Sequence, residues 1–413
     1  MLNKILNLLK KIIPKKLFKF GQPVYHYLLS KLSALIYGYP SNKMIVVGVT
    51  GTTGKSSSCY FMAQILEKAG LKVGMSTTTL FKVGNKEWLN DKKMTMIGRF
   101  QLQGLLKQMV KDKCDVVIVE TTSEGIKQFR HLGISYDILV FTNLYPEHIE
   151  SHGSFEKYKE AKGKLFKYLS KTKKKKVEKT IIANLDDEHS EYFLNFKADE
   201  KFTYGIDKDA DVKLNDLKIN LLGGYNRYNV LSGVAVAKAL KVEEDKIKFA
   251  VENLKPLPGR LEFIENSKGI KILVDYAFEP KAVQTLYNIL KNVEHHRIIH
   301  ILGSTGGGRD KDRRPVLGKL ANDNADIVIV TNEDPYDEDP MEIINQVASS
   351  VDSNKLHKIL DRREAIQKAL KIAERDDLVL ITGKGAEQKM CVADGKMVDW
   401  DDRKVLKEEL KDK

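Results

Sequence analysis

Residues 44–58 read MIVVGVTGTTGKSSS, an apolar run followed by a glycine-rich turn and the pair Lys55-Ser56. The run is typical of a buried strand, and the residues after the turn favour a helix. In such a unit the backbone N–H groups of the turn and the helix N-terminus bind phosphate. The strict motif has glycine where this chain has Val49, but strand, lysine-serine pair and helix are all present. The predicted phosphate-binding residues are Gly51, Thr52, Thr53, Gly54, Lys55, Ser56 and Ser57.

Apolar runs alternate with helical patterns along most of the chain. Strands are expected at 44–49, 114–120, 137–143, 180–184, 270–276, 297–303, 325–331 and 377–383, and a polar strand-like section at 201–222. Helices are expected near 54–69, 98–112, 154–170 and 225–240. This alternation predicts an α/β protein with mainly parallel sheets. Turn residues cluster at Pro256, Pro258 and Gly259 and suggest a boundary there. The expected order is a basic helical segment (1–43), a central phosphate-loop domain (44–258) and a Rossmann-like C-terminal domain (259–413).

The charge of the chain is concentrated at its start. The net charge is +13, and residues 1–43 contribute +8 of it through eight lysines and no acidic residue. The main body is therefore only weakly basic, which argues against a nucleic-acid partner. The three cysteines are far apart and form no CxxC pair, which favours a reducing cytoplasm over disulfides or a zinc site.

Two lysine-rich segments have competing interpretations. In residues 1–20 the apolar positions Leu2, Ile5, Leu6, Leu9, Ile12 and Ile13 share one helical face, and Pro14 should end or kink that helix. Such a basic amphipathic helix is either a peripheral membrane or partner contact or a terminal helix packed on its own domain, and both interpretations stay open. The second cluster, SKTKKKKVEK at 170–179, is expected to be a solvated loop.

Three further residues are candidates for chemistry. Glu120 ends an apolar strand, where α/β sheets bind ligands, His148 follows the next strand, and Lys162 lies on a predicted helix. Taken singly, each has an ordinary alternative as a strand-end carboxylate, a loop histidine or a surface lysine.

Taken together, these segments resemble the Mur ligase family of ATP-dependent amide-forming enzymes, and within it the MurE-like branch (UDP-N-acetylmuramyl-tripeptide synthetases). The resemblance runs from about residue 44 to 402. It rests on GVTGTTGKSS, ETTSEGI, FTNLYPEHIESHGSFEKYKEAKGKLF, LLGGYNRYNVLSGVAVA, LPGRLE, VDYAFEP, GGGRDKDRRP, NEDPYDEDP and GKGAE, which occur in the family's order.

The resemblance implies a reaction in which ATP converts a carboxylate into an acyl phosphate that an amine then attacks. It implies that Lys55 stabilises the transferred phosphate, and that Ser56, Glu120, His148 and Lys162 hold two Mg²⁺ ions. Lys162 is expected to be carbamylated by CO₂, which turns a cation into a carboxylate-like metal ligand. Asn226 and Asn229 would contact adenine, and Arg260 and Asp275 would approach ATP from the C-terminal domain.

The substrates implied are a muramyl-peptide-like carboxylate and an amino acid, joined as the third stem-peptide residue of a peptidoglycan precursor in the cytoplasm. The implied contact residues are Thr77, Thr78, Thr121, Thr122, Ser123, Arg130, Arg309, Asp334, Gly383 and Glu387.

The chain also departs from the family pattern. The family's usual N-terminal domain, which binds the uridine nucleotide, is expected to be lacking, because only residues 1–43 precede the first predicted strand. Tyr336 stands where diaminopimelate-adding enzymes have arginine, within a run of acids. Either these acids favour lysine, ornithine or another amine over diaminopimelate, or they only solvate a loop. Phe278 and Ala386 stand where the family has histidines. Two alternatives therefore stay open: a folylpolyglutamate-type or other amino-acid ligase, and a membrane-associated nucleotide-binding scaffold with weak catalysis.

Overall fold

The computed structural model describes residues 15–146, 152–215, 217–308 and 310–411, with the backbone alone for 15–20. The contacts divide the chain into two compact units. Unit 1 contains the residues up to Trp88 and Met94–Lys255, and unit 2 contains Leu89–Lys93 and the residues from Pro256 onwards. A short segment within the first half of the sequence therefore belongs to the second unit.

Unit 1 is built on an eight-stranded sheet in the order β4-β3-β2-β5-β1-β6-β7-β8. Its strands are β1 (Ile45–Thr50), β2 (Val73–Ser76), β3 (Leu80–Val83), β4 (Lys86–Leu89), β5 (Val116–Glu120), β6 (Ile138–Phe141), β7 (Thr180–Asn184) and β8 (Glu200–Tyr204). The strands from β2 to β8 in that order run parallel, and β3 pairs with β2 antiparallel. Because β2, β5, β1 and β6 are parallel neighbours, the loops that follow them emerge at one edge of the sheet.

Helices cover this sheet and join its strands. They are α1 (Lys15–Ile36), α2 (Lys55–Lys68), α3 (Arg99–Lys111), α4 (Ser123–Lys127), α5 (Phe155–Leu169), α6 (Ser190–Leu194), α7 (Tyr225–Ala239) and α8 (Glu244–Glu252). One core of the unit joins the apolar side of α3 and α5 to the strands, with Leu106, Phe166 and Val117 fully buried. The central strands are apolar on both faces, as expected of parallel strands covered by helices.

Unit 2 contains a six-stranded sheet in the order β13-β12-β11-β14-β10-β9 and a two-stranded hairpin, β15-β16. Its strands are β9 (Glu262–Phe263), β10 (Lys271–Val274), β11 (Ile298–Leu302), β12 (Ile327–Val330), β13 (Leu356–Lys358), β14 (Leu378–Ile381), β15 (Lys389–Val392) and β16 (Lys396–Asp399). Its helices are α9 (Pro280–Leu290), α10 (Arg313–Asn324), α11 (Pro340–Ala348), α12 (Arg362–Ile372) and α13 (Asp402–Lys411). All pairs of the main sheet are parallel except β9 with β10. The predicted α/β class with mainly parallel sheets is confirmed.

Two local expectations were wrong. The section 201–222 is not a continuous strand region: the strand there is Glu200–Tyr204, followed by loop with one isolated bridge at Val212. The cluster at 170–179 is not simply a solvated loop. Lys175 and Lys179 both form ion pairs with the fully buried Asp137, at 2.6 and 3.0 Å. A buried carboxylate needs paired charge, so these two lysines help to hold unit 1 together.

The described part of helix α1, Lys15–Ile36, contains Pro23. The predicted amphipathic positions from Leu2 to Ile13 and the effect of Pro14 on their helix lie outside the described residues. None of the described helices is long and apolar enough to cross a membrane.

Candidate active site

The glycine-rich turn connects β1 to α2 and has a backbone that side chains would obstruct. Gly54 has φ 76°, in the left-handed region, and a Cβ there would lie 2.4 Å from Asn229 Oδ1. A Cβ on Gly51 would lie 1.9 Å from Thr142 Oγ1. Glycine is therefore required at both positions of the turn.

Neighbouring loops brace this turn. Asn143, just after β6, accepts hydrogen bonds from Thr53 N at 2.9 Å and Thr53 Oγ1 at 3.3 Å. Thr52 N donates to the Asn143 carbonyl at 2.8 Å, and Thr52 Oγ1 lies 3.3 Å from the Tyr158 hydroxyl. Asn143 was not among the predicted site residues. Its position at the carboxyl end of the predicted strand 137–143 was the available signal.

The two charged or metal-binding residues of the motif lie at the start of α2. Lys55 Nζ donates to the Thr52 carbonyl at 2.6 Å, which folds the side chain back over the turn. Ser57 is half-buried in the same helical turn. The Ser56 hydroxyl points towards the adjacent strand end and donates to Glu120 Oε2 at 2.7 Å.

Glu120 is the centre of an oxygen-rich cluster. Thr78 contributes both its N–H, 2.8 Å from Oε2, and its hydroxyl, 3.0 Å from Oε1. The Thr78 hydroxyl also lies 2.7 Å from Thr95 Oγ1. Glu120 is 2% exposed. Carboxylate and hydroxyl oxygens are the ligands that Mg²⁺ prefers, so Ser56 and Glu120 fit a magnesium ion beside the phosphate-binding turn.

Lys162 lies on α5 and is buried rather than part of the surface. Its Nζ donates to the Gly51 carbonyl at 2.7 Å and lies 4.3 Å from the centre of the Tyr158 ring. The structure therefore brings Lys162 to the turn that contains Lys55. A carbamate on this nitrogen would retain one N–H, so the hydrogen bond to Gly51 is compatible with carbamylation.

The predicted acceptor contacts lie on loops around Glu120, but most have structural partners. Thr77 Oγ1 donates to the Leu80 carbonyl, and Thr121 Oγ1 donates to the Val119 carbonyl. Thr122 caps the N-terminus of α4 by accepting from Gly125 N. Ser123 Oγ lies 3.1 Å from His152 Nε2.

Arg130 is held by the segment that leads into α3. Its guanidinium donates to the Met96 carbonyl, to Met94 Sδ and to Gln128 Oε1. Burial lowers the pKa of Arg130.

The predicted adenine-contacting pair lies on α7. Asn229 Nδ2 donates to Asn226 Oδ1 at 3.0 Å, and Asn226 Nδ2 donates to the Leu222 carbonyl at 2.7 Å. Asn229 Oδ1 accepts from the Ser58 hydroxyl at 3.3 Å and lies against Gly54. The pair therefore borders the phosphate-binding turn.

In unit 2, Asp275 holds a loop together. Its two carboxylate oxygens accept from Leu261 N and Ala277 N, each at 2.7 Å. Burial raises its pKa, despite the opposing Arg260 charge. The Arg260 guanidinium lies 4.0 Å from the centre of the Tyr276 ring, a cation–π contact.

Phe278 and Ala386, which stand where the family has histidines, are both packed within unit 2. Phe278 meets the Tyr276 ring edge to face, and the Arg313 guanidinium lies 5.4 Å from the centre of the Phe278 ring. Ala386 is buried, and a Cβ on Gly259 would lie 2.1 Å from its nitrogen.

The predicted amine contacts Asp334 and Glu387 form a cluster of four charges with Lys93 and Lys384. Buried Lys384 donates to Asp334 Oδ1 at 3.0 Å and to Glu387 Oε2 at 2.7 Å. Lys93, from the segment of the first half that belongs to unit 2, pairs with the same acids at 2.7 and 3.1 Å. Burial opposes the charged form of Lys93, but Glu387 and Asp334 outweigh it and raise its pKa. Lys93 and Lys384 were missed because nothing in the sequence places Lys93 near residue 334.

Glu333 and Gly383 lie next to this cluster. The Glu333 carboxylate accepts from Thr305 Oγ1 at 2.9 Å, and a Cβ on Gly383 would lie 2.3 Å from Glu333 Oε2. Gly383 therefore allows the carboxylate to approach the backbone. Burial raises the pKa of Glu333, although Arg362 and Lys384 oppose this.

Two predicted residues, His148 and Arg309, lie outside the described residues. Within the described ranges there is no group of three His, Cys, Asp or Glu residues that could hold a metal ion. The magnesium site considered above therefore rests on one carboxylate and on hydroxyl groups.

Comparisons with known proteins agree with this geometry. The Mur ligase middle domain matches residues 49–237, and the Mur ligase, glutamate ligase domain matches residues 259–385. The UDP-N-acetylmuramoyl-L-alanyl-D-glutamate--2,6-diaminopimelate ligase of Clostridium botulinum is 32% identical over 406 residues, covering 93% of this chain and 81% of that protein. A solved structure of a ligase with that name has a TM-score of 0.60 and 27% identity, over 89% of this chain and 78% of the other.

A further solved structure, E. coli FolC in complex with DHPP and ADP, has a TM-score of 0.64 with 19% identity over 86% of this chain and 89% of the other. This likeness concerns the fold alone. The fold, the phosphate-binding turn and the relatives together define an ATP-dependent ligase that joins an acid to an amino acid. The chain belongs to the Mur ligase family, and its relatives fit the MurE-like branch. The predicted enzyme class is confirmed.

Proposed function

We propose that this chain adds an amino acid to the carboxylate of a muramyl-peptide-like precursor, as the third residue of the stem peptide. The observation that carries the proposal is the Ser56–Glu120–Thr78 oxygen cluster beside the phosphate-binding turn. Phosphoryl transfer depends mainly on positioning and on neutralising charge. Lys55 and the backbone of the turn would bind the ATP phosphates, and Ser56 and Glu120 would hold Mg²⁺.

The second part of the proposal concerns the metal sites and Lys162. Two Mg²⁺ ions are proposed, with His148 and a carbamate on Lys162 as further ligands. Mg²⁺ supplies charge neutralisation at the transferred phosphoryl group. The burial of Lys162 and its contact with Gly51 support this role, because an unmodified ammonium would repel nearby metal ions.

The third part concerns the amine. Asp334 and Glu387 already bind two ammonium groups at hydrogen-bonding distance, those of Lys93 and Lys384. An acid pair of this kind favours a substrate with a cationic side chain, and Tyr336 offers no cation for a second carboxylate. We therefore propose lysine, ornithine or a similar amine, although the relatives are named for 2,6-diaminopimelate.

The proposed location is the cytoplasm, with peripheral contact at the inner face of the membrane through residues 1–20. The lysine-rich, acid-free composition of residues 1–43 supports this contact. We also propose that the central domain spans residues 44–258 and the C-terminal domain residues 259–413.

The direct test measures phosphate release from ATP with Mg²⁺, UDP-N-acetylmuramoyl-L-alanyl-D-glutamate or its nucleotide-free form, and a panel of amines. We expect release to require both acceptor and amine, and Lys55→Ala to remove it. Lys68→Ala, at the far end of the same helix, is the matched control and should keep the wild-type rate. Tight ATP binding without acceptor-stimulated release under any substrate set would favour the nucleotide-binding scaffold instead.

A further inference from the structure

The outward face of helix α1 is apolar over several turns. Val24, Leu28, Leu32 and Leu35 are 60%, 59%, 46% and 62% exposed. Their spacing of three or four residues puts them on one side of the helix. Single exposed apolar residues are ordinary, but a continuous row of them marks an interaction surface. We call these four residues, with the equally exposed Ile36, the outer face of α1.

The opposite side of α1 is fixed to unit 1. Ser30, Ser33 and Ala34 are buried there, and Arg99 Nε donates to Ser30 Oγ at 2.9 Å. A Cβ on Gly133 would lie 2.6 Å from Ala34 Cβ, which shows how closely the helix approaches the unit. The helix is thus held in one orientation, and its outer face is directed away from the core of unit 1.

Charge distinguishes between the surfaces that could cover this face. Residues 1–43 contain eight lysines and no acid, and exposed Lys31 lies one turn from both Leu28 and Leu35. A second copy of the chain would bring two segments of this charge together. Residues 2–13 folded back over α1 would place three more lysines beside those of the helix. An anionic lipid surface attracts the lysines and accepts the apolar side chains.

We propose that the outer face of α1 binds the surface of an anionic membrane. The helix lies in the plane of the interface, its apolar side chains enter the boundary between headgroups and acyl chains, and exposed Lys31 contacts the headgroups. This inference rests on the peripheral membrane contact in the proposed function and extends it from residues 1–20 to the outer face of α1. It does not depend on which acceptor or amine the enzyme uses.

The test is co-sedimentation of the full chain with vesicles of phosphatidylcholine alone and of phosphatidylcholine with phosphatidylglycerol. We expect binding to the anionic vesicles, weakened by added salt, and little binding to the neutral ones. The variant Leu28→Ser/Leu32→Ser/Leu35→Ser should bind at least about tenfold more weakly, because three large apolar side chains no longer enter the interface. Met397→Ser/Val398→Ser removes two exposed apolar residues from hairpin β15-β16 and should bind like the wild type.

Circular dichroism and ATP turnover without vesicles should be the same for both variants and the wild type, since none of these residues belongs to the site. Three results would overturn the proposal: a triple variant that binds as well as the wild type, a wild type that binds neither vesicle, or equal binding to both. Sedimentation of the protein without lipid tests whether a second copy of the chain covers the outer face of α1 instead. A concentration-dependent dimer that the triple variant loses would assign the outer face to a second copy of the chain.

Discussion

The hydroxyl of Ser56 donates a 2.7 Å hydrogen bond to Glu120 Oε2 across 64 positions of sequence. It does so because β1 and β5 are parallel neighbours, paired from Ile45–Val116 to Val49–Glu120. The carboxyl ends of these two strands therefore bring the phosphate-binding turn and a buried carboxylate together. In this arrangement one oxygen from each strand end can bind the same Mg²⁺ ion.

Glu120→Gln should weaken the binding of Mg²⁺ much more than it lowers the stability of the fold. The amide preserves the size of the side chain but removes the charge, so the Mg²⁺ concentration at half-maximal ATP turnover should rise at least about tenfold. The measurement is a Mg²⁺ titration of phosphate release. Glu124→Gln, on the half-exposed side chain of α4, is the control. An unchanged titration for Glu120→Gln would remove Glu120 from the metal site.

Lys162→Ala should be almost inactive, and acetate should partly restore turnover by supplying the missing carboxylate. Lys164→Ala, on the exposed side of the same helix, should behave like the wild type. The measurement is acceptor-stimulated phosphate release with and without acetate. Full activity of Lys162→Ala without any additive would show that the carbamate assignment is wrong.

Changing Tyr336 to Arg together with Asp334→Asn should shift amine preference towards diaminopimelate. The arginine can pair with the distal carboxylate, and the asparagine removes a repelling charge. Tyr336 has φ 53°, which is unfavourable for tyrosine and arginine alike, so the backbone does not distinguish them. The measurement is kcat/KM for lysine and diaminopimelate with one acceptor. A wild-type preference for diaminopimelate of tenfold, about 1.4 kcal/mol, would contradict the proposed amine.

Lys93→Ala should lower the KM for a cationic amine. Lys93 shares Asp334 and Glu387 with buried Lys384, so removing it leaves one net negative charge, and the ammonium group of the substrate then competes with Lys384 alone. We expect a several-fold lower KM for lysine and little change for alanine, which lacks a second amine. Lys92→Ala is the neighbouring control, because Lys92 pairs with Asp91 at the surface. A higher KM for lysine would instead make Lys93 a support for the acid pair.

Acid should destabilise unit 2 through His300. Burial, with a smaller effect of Arg362, lowers the pKa of His300 to about 3 from 6.5, while its ring nitrogens contact the Tyr287 hydroxyl and Thr382 Oγ1. Below pH 6.5 the unfolded chain binds this proton and the folded chain does not, so stability is present above pH 6.5 and is lost as the pH falls towards 3.

Between pH 6.5 and 5 this loss amounts to about 2 kcal/mol in the free energy of unfolding. The fall in stability over this range should be smaller by that amount in His300→Gln, measured by urea unfolding at each pH. The same slope in the wild type and in His300→Gln would show that His300 does not contribute.

Much of the fold follows from the sequence because buried parallel strands are continuous apolar runs that are easily recognised. The runs at 44–49, 114–120 and 180–184 all became strands with a neighbour on each side. The section at 201–222 did not, because its polar residues carry no comparable signal beyond Tyr204. The sequence likewise located the phosphate-binding turn, since glycine spacing and Lys55-Ser56 are local features.

Tertiary structure alone decided which distant residues share a site. In the sequence Lys175 and Lys179 belong to a lysine cluster of the kind found at surfaces. In the structure both pair with buried Asp137, which directly precedes β6. Lys93 and Asp334 are 241 positions apart and meet because a five-residue segment of the first half belongs to unit 2. Charge pairing depends on distance in space, which a linear pattern does not contain. The sequence by itself determined eight of the buried parallel strands, the phosphate-binding turn and the family, whereas the packing of the folded chain decided which charges neutralise one another.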